Sequence, residues 1–566
     1  MSDSTGRASE LLPSKVTATC RQLLSSRRFG ILVAVMVPLL ARLAVFPVEP
    51  IPVPWVHDEF GYLLAAQTFA SGRLTNPTPP MWEHFETFNV LMKPTYMSKY
   101  PPGQGALLGA GIVLFGDPWW AVFLSVGVMC GALTWMLQAW FSPPWALLGG
   151  VLAGLQFGLA HNWMNSYWGG SLAGIGGCLV LGAYGHLRNR QLAGASPNGD
   201  SRVALLLPFV LGTGLSILAC TRPYEGLFLA APVAVALLIR RAWRNAAQVA
   251  ALVLCGAAPG LVFLLAESRA VTGEWFTAPH EVYRRQMEIT PPFAFQSPTN
   301  PPPIYRHEEF RKMSEEWEPN FEDTKDWGTL RGLLPGILER GRMVGSSFFP
   351  GKAYLPIAAL SLLVAFRRRM RILGICIVCV LAGGALPSWL MPYYLAPLLP
   401  AFAAVYLEFL RLVRQWVTRG WPIGLGLFAL VLMFTVVMLG ERVYVWVQFD
   451  RVLTAGDALV RDRPRLAAQL GAAPGRHMIF VHYGPSHDAL HEWVYNEPDI
   501  PKAKVIWARA MTPQEDLELV KAFSGRKYWI LEVDDNTAVL RPFESSADLL
   551  NKQSRVSAAH GPAYAK

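Results

Sequence analysis

Eleven apolar runs of membrane-spanning length, near 29–48, 119–141, 144–162, 170–187, 203–220, 225–240, 246–266, 352–366, 371–389, 392–411 and 421–444, constrain this chain more than any other feature. A bilayer core needs roughly 20 apolar residues of helix to cross it. Lipid offers no partner to backbone N–H and C=O groups, so a spanning segment must satisfy them itself, as helices do. With 52% of its 566 residues hydrophobic and 16% charged, the chain is too apolar for an ordinary soluble enzyme. The expected fold is mainly α: a polytopic membrane helical bundle of about 11 spans plus interfacial helices, with a soluble α/β domain at the C-terminus.

Basic residues set the expected orientation. A cytoplasmic N-terminal tail, 1–28, puts Arg and Lys in alternate connections, and four connections carry them: Arg188-Arg190-Arg202, Arg240-Arg241-Arg244, Arg367-Arg368-Arg369-Arg371 and Arg411-Arg414-Arg419. The formal net charge of +10 is read first as this topology signal. No basic stripe interleaved with aromatics marks a nucleic-acid partner. The short run Gly105–Gly116, bounded by Pro101-Pro102-Gly103 and Gly116-Asp117-Pro118, is expected to lie in or dip into the outer interface. The expected division is a transmembrane domain over 29–444, with outer loops 49–118 and 267–351, and a soluble domain over 445–566. The motif-rich loops and the soluble domain then share the periplasmic side of a cell inner membrane.

In the C-terminal region, helical patterns near 456–471, 486–496 and 513–524 alternate with β-rich runs at His477–Tyr483, Lys504–Ala510, Lys527–Val533 and Thr537–Pro542. His482, His487, Asp488, His491 and Glu492 crowd together, and His487 and His491 share a face if their segment is helical. The full His-Glu-x-x-His pattern is absent, so these read as surface residues and no metal site is assigned. The seven cysteines lie in the tail or in apolar segments, and no disulfide is assigned; Cys376-x-x-Cys379 reads as a packed pair.

The chemistry-bearing residues cluster in the outer loops. His57-Asp58-Glu59-Phe60-Gly61-Tyr62 sets two adjacent carboxylates at the start of an amphipathic helix just after the first span, where charge is costly and points to function. Asp58 is expected at or near the helix N-cap, a position that favours the ionised form; satisfying backbone N–H groups there is the bland alternative. Lys99, before Tyr100-Pro101-Pro102, could hold a phosphate at headgroup depth or simply contact lipid headgroups. Arg222 is a cation on the outer face, suited to an anionic ligand or to a bridge with Glu225. Arg284 and Arg285 are further phosphate-ligand candidates. Around His161–Trp168 and Ser388–Tyr394, the residues Asn162, Asn165, Tyr167, Trp168, Tyr393 and Tyr394, with Tyr224, His57 and Tyr62, offer aromatic faces and polar groups for a sugar, or an aromatic belt at the interface.

These residues resemble a known pattern. An Asp-Glu pair with a Tyr four residues after the Asp, then a long loop ending in Lys99-Tyr100-Pro101-Pro102 and a short apolar helix, is similar to the first outer loop of GT-C glycosyltransferases. The resemblance is to the protein O-mannosyltransferase and lipid A aminoarabinose transferase branch, and it covers 25–190 best. It implies Asp58 as catalytic base, Lys99 at the donor phosphate and Tyr62 shaping the site. Members use a polyprenyl-phosphate-linked sugar on the non-cytoplasmic face. The chain departs from the pattern where Tyr100 separates the Lys from the prolines and where Tyr393 stands in place of a frequent His.

A lipid phosphate leaves without protonation, so one carboxylate to take the acceptor's proton plus cations for the departing phosphate would suffice. Glu59 could orient the acceptor, orient Asp58, or pair with Lys99. The expectation is an integral membrane glycosyltransferase, with membrane lipids and a lipid, glycan or protein acceptor as partners, no certain cofactor, and a divalent cation left open. A lipid-linked sugar flippase and a glycan polymerase or ligase are the alternatives.

Overall fold

The computed structural model describes residues 22–192, 201–239, 246–317, 330–417, 422–456, 458–488, 490–534 and 537–543. The basic residues Arg7, Lys15, Arg21, Arg240, Arg241, Arg244 and Arg419 lie outside the described residues, as does Cys20. Among the described residues, five helices are long and apolar enough to cross a membrane: Arg27–Val45, Trp119–Leu137, Ala246–Thr272, Pro392–Arg414 and Ile423–Gln448. Shorter apolar helices accompany them, among them Pro102–Phe115, Leu205–Thr221, Pro223–Ile239 and Arg371–Gly384. The chain is a mainly helical, multi-pass membrane protein with a small sheet region.

The path of the chain from the first span to Asp58 is set by two buried polar residues. Arg42, 1% exposed, donates to the carbonyls of Glu49 (2.7 Å) and Pro50 (2.9 Å) and to Asn165 Oδ1 (2.9 Å). An ionised guanidinium is stable there because its donors find acceptors. The helix His57–Ala70 then has Val56 as its N-cap, which puts Asp58 in its first turn. Glu59 Oε2 accepts from Trp55 N (2.9 Å) and Val56 N (3.3 Å), while Oε1 accepts from Tyr167 N (3.1 Å). Glu59 is thus the residue that satisfies N–H groups at the helix start, and Asp58, for which that role is the bland alternative, faces elsewhere.

His57–Ala70 packs closely on Pro102–Phe115. A Cβ added at Gly105 would stand 2.6 Å from Ala65 Cβ, so only a glycine permits this approach. Short antiparallel strands β1 (Val90–Leu91) and β2 (Met97–Ser98) tie the intervening loop together.

The last apolar helix does not stop at 444 but runs continuously as Ile423–Gly456, handing the chain to Ala458–Ala472. Strands β3 (His477–Tyr483), β4 (Val505–Arg509), β5 (Lys527–Asp534) and β6 (Thr537–Pro542) form one sheet in the order β4-β3-β5-β6. The β3 strand pairs in parallel with β4 and β5, and β6 closes the edge antiparallel. Successive residues face opposite sides. Ile479 and Val481 pack with Leu470, on the helix Ala458–Ala472. Met478 and Phe480 pack with Leu519, on the helix Pro513–Ala522, and with Phe85, Val90, Met92 and Tyr96 of the first outer loop. The sheet is therefore docked directly on that loop.

One expected helix is absent. The described residues of 486–496 are irregular, because buried side chains bind their backbone more favourably than a helix would. Arg463 donates to the carbonyls of Trp493 and Tyr495 (both 2.8 Å), and Glu492 Oε1 accepts from Val494 N (2.8 Å). His487 and His491 consequently share no helix face.

Glu59→Gln keeps one carbonyl oxygen for two of the three N–H donors but turns an amide N–H₂ toward the third, and leaving a buried donor unmatched costs about 1–3 kcal/mol. The variant is expected to show a lower unfolding temperature than Asp58→Asn when both are purified and compared by thermal scanning.

Candidate active site

A cavity of about 270 Å³ opens between the first outer loop, the 280–314 segment and the 387–394 segment. His57, Asp58, Lys99, Arg284, Tyr393 and Tyr394 line it together, although they come from four separate stretches of sequence. Asn89, Tyr100, His280 and Glu288, which sequence reasoning did not single out, line it too.

Asp58 is bound mainly through one oxygen. Its Oδ1 accepts from the Tyr100 hydroxyl (2.5 Å) and the Asn89 amide (2.8 Å), with His57 Nδ1 at 3.2 Å. The Asn89 amide nitrogen is also 2.7 Å from His57 Nδ1. The other oxygen, Oδ2, has only the Tyr393 hydroxyl at 3.4 Å, so its lone pairs remain available to the cavity. Asn89 reaches this position from a left-handed backbone (φ 61°), a conformation that Asn tolerates better than most residues. Burial by itself pushes the Asp58 carboxyl up. The hydrogen bond and charge of His57, the Tyr100 hydroxyl and the Lys99 charge outweigh that effect and hold it at about 2. Asp58 is ionised at neutral pH.

Of the two candidate cations, Lys99 lines the cavity, whereas Arg222 does not and meets it only through the Tyr393 and Tyr394 rings. Lys99 Nζ pairs with Glu288 Oε1 at 3.0 Å and lies 4.3 Å from the Tyr283 ring centroid. Neither Glu59 nor Asp58 is its partner, so of the three roles open to Glu59 the pairing with Lys99 is not the one seen. Burial works against charge on both members of the Lys99–Glu288 pair, but their mutual attraction prevails: Lys99 is raised and Glu288 lowered, so both stay ionised. Arg222 is less committed. Its guanidinium sits over the Tyr394 ring (4.2 Å) and the Tyr393 ring (4.9 Å), with no ion pair to Glu225 and no side-chain hydrogen bond to any described residue. Its donors therefore await an acceptor, and the N-terminus of Pro223–Ile239 beside it adds the positive end of a helix dipole. His280 is pushed down to about 4, by burial first and the Lys99 charge second, and is neutral.

The other sequence candidates occupy several places. Tyr62 is buried behind the cavity wall, its ring stacked on Tyr100 at 4.3 Å. Trp168 stacks on Tyr393 at 5.6 Å. Arg284 and Arg285 both pair with Glu281, and Arg285 points to solvent. Asn165 is spent on Arg42 and on the carbonyls of Leu159 and His161, and Tyr167 donates to Pro52 O. Tyr224 donates to Gly383 O, and Asn162 is exposed outside the cavity lining. Glu59 is turned to the backbone, away from the cavity. Among the described residues, no group of three or more His, Cys, Asp or Glu could hold a metal ion. The C-terminal histidines form no such group either: His487 stacks on Tyr483, and Glu492 engages Arg509.

No protein-family model and no curated protein sequence matches the chain. Its fold is similar to solved structures. ArnT from Cupriavidus metallidurans bound to undecaprenyl phosphate overlays 88% of this chain and 92% of its own, at TM-score 0.48 and 14% identity. The Archaeoglobus fulgidus oligosaccharyltransferase in the apo form overlays 89% and 69%, at TM-score 0.48 and 10% identity. AglB from the same organism, in complex with an inhibitory peptide and a dolichol-phosphate, overlays 88% and 69%, at TM-score 0.44 and 11% identity. ArnT and AglB are GT-C glycosyltransferases, the group that the first outer loop resembles in sequence. The chemistry of the cavity rests on its own side chains.

Tyr100→Phe removes the shortest hydrogen bond to the Asp58 carboxylate, and a lost bond of this kind raises the acid pKa by roughly one unit. Infrared difference spectra against Asp58→Asn are expected to show the carboxylate band disappearing at a correspondingly higher pH in Tyr100→Phe than in the parent.

Proposed function

We infer that the protein is a membrane glycosyltransferase that moves a sugar from a polyprenyl-phosphate donor to a hydroxyl or amine of a lipid, glycan or protein acceptor on the non-cytoplasmic face. The observation that carries this reading is an ionised carboxylate, one oxygen of which has only a long contact from the Tyr393 hydroxyl, in an aromatic-lined cavity where Lys99 also lies and against whose Tyr393 and Tyr394 rings Arg222 packs. A hydrolase would need a second carboxyl group to protonate an alkoxide leaving group. Here the second carboxylate lining the cavity, Glu288, is tied to Lys99.

An apolar cavity of about 530 Å³ supports a lipid donor. Leu338, Phe349, Leu362, Leu381 and Leu390 line it, and Leu390's two neighbours in sequence, Trp389 and Met391, line the polar cavity. A prenyl tail fits the first and its phosphosugar head the second.

In the proposed reaction, the acceptor's O–H or N–H donates to Asp58 Oδ2 and the freed electron pair attacks the anomeric carbon. The bond from that carbon to the phosphate oxygen breaks, and the oxygen keeps the bonding pair. Arg222 takes up the resulting charge by bidentate hydrogen bonding, with Lys99 adding a nearby positive charge. A single displacement inverts the anomeric centre. Tyr393, Tyr394 and Trp168 supply faces for the sugar ring. A divalent cation finds no ready donor set around Asp58, and no step is assigned to one.

Asp58→Asn keeps the shape of the carboxylate but removes its basicity, and loss of a general base typically costs 10²–10⁴-fold in rate. Transfer from a radiolabelled polyprenyl-phosphate sugar in proteoliposomes is expected to fall by about that factor. Near-normal transfer by a folded Asp58→Asn would refute the base assignment. Arg222→Ala should raise the donor concentration needed for half-maximal rate by roughly tenfold or more, the cost of a charged hydrogen bond; an unchanged donor dependence would remove Arg222 from the phosphate site.

A further inference from the structure

The C-terminal sheet reaches the cavity through one buried arginine. Arg509, the last residue of β4, is 2% exposed, and its guanidinium is shared among three segments distant in sequence. Nε donates to Glu86 O of the first outer loop (2.8 Å), Nη1 pairs with Glu309 Oε2 (3.1 Å), and Nη2 pairs with Glu492 of the sheet domain. A buried guanidinium persists only when its fork is satisfied, so these contacts fix the three segments relative to one another.

Glu309 lies on the short helix Glu308–Lys312, and the next residue, Phe310, stands under the same guanidinium at 4.7 Å. Phe310 lines the cavity and meets Phe88 edge to face at 4.6 Å; Phe88 in turn lies 5.5 Å from the His57 ring beside Asp58. The sheet domain grips the opposite flank as well, with Tyr495 stacked at 4.1 Å on Phe60, two residues after Asp58.

We propose that the C-terminal α/β domain is a clamp on the cavity, and that Arg509 is a positioning residue that holds the Phe310–Met313 wall closed over Asp58. This rests on the reading of the cavity as the active site. Arg509 touches no reacting atom; it acts through Glu309 and Phe310. The wall is also packed on Phe88 and Met287 and tied to Met287 O by the Ser314 hydroxyl (3.0 Å), while Glu309 supplies its charged link to the sheet domain. The helix carrying it, Glu308–Lys312, runs on as a π-helical turn over Met313–Trp317, and its further ties to the sheet domain are packing against Leu490 and a surface bond from Lys312 Nζ to Pro485 O.

The test separates clamp from chemistry. In full-length protein in nanodiscs carrying Met313→Cys, the labelling rate at position 313 by a membrane-impermeant maleimide is followed by peptide mass spectrometry. Glu309→Ala cuts the link to the wall while leaving the Arg509–Glu492 pair in the sheet domain. It is expected to raise labelling about tenfold, the change that loss of one charge-assisted contact makes in an opening equilibrium. It should also raise the KM for the lipid-linked donor while leaving kcat within about twofold, a split that weaker binding without altered chemistry produces. Unchanged labelling in Glu309→Ala overturns the clamp whatever the activity. Labelling of Met478→Cys in the sheet core of the same variant would mean that the whole domain had opened, and would overturn it too. Faster labelling at 313 in a protein that transfers no sugar would leave the clamp standing and remove the glycosyltransferase reading.

Discussion

Adjacent residues on a helix point about 100° apart, and this chain uses that rotation to give neighbouring carboxylates opposite tasks. Glu59 turns inward and accepts three backbone N–H groups, joining the exit of the first span to the helix start and to Tyr167. With the helix start satisfied by Glu59, Asp58 has no capping duty and meets Tyr100, Asn89 and His57 at the cavity edge. Were Glu59 apolar, three buried donors would be orphaned, and the direction in which Asp58 points would no longer be set.

Ionisation of Asp58 is a collective result. Burial opposes the charge, and the residues that overcome it arrive from separate places: His57 from the same turn, Tyr100 and Lys99 from the far end of the loop. Lys99 is itself kept charged by Glu288, 189 residues away in sequence. The outcome is an unequal pair of oxygens on one carboxylate, with Oδ1 holding the short bonds and Oδ2 only the long one from Tyr393. Arg222 complements this with the opposite asymmetry, a cation stabilised by aromatic faces and holding its hydrogen bonds in reserve. Such preorganised, unspent groups are what a site needs to stabilise charge that appears only as a bond breaks.

Features governed by local pattern were legible in the sequence. Apolar helices, the four strands of the C-terminal sheet and a helix beginning beside Asp58 follow from periodicity within short windows. What local pattern could not reveal depends on distant partners. The 486–496 segment has helical spacing, yet Arg463 and Glu492 hold its backbone in an irregular path. Asn89 looks like an ordinary loop residue until its amide is seen bridging His57 and Asp58. Glu59 and Asn165 have the right chemistry for a ligand site, but buried backbone and Arg42 claim them first. Arg509 gives no signal in its own surroundings, because the three acceptors that define it lie on different segments. Tyr100 read as a departure from the expected Lys-Pro-Pro spacing, whereas its hydroxyl makes the shortest bond to Asp58.

The central claim is that a prenyl phosphate lodges with its head against Arg222 and its tail in the neighbouring apolar cavity, opposite Oδ2 of Asp58. A cryo-EM structure of the protein in nanodiscs with added polyprenyl phosphate tests this most directly. The account predicts phosphate density within hydrogen-bonding distance of the Arg222 guanidinium and chain density along Leu338 and Leu390. Phosphate density at the opposite membrane face, with Arg222 still stacked unused on Tyr393 and Tyr394, would contradict it.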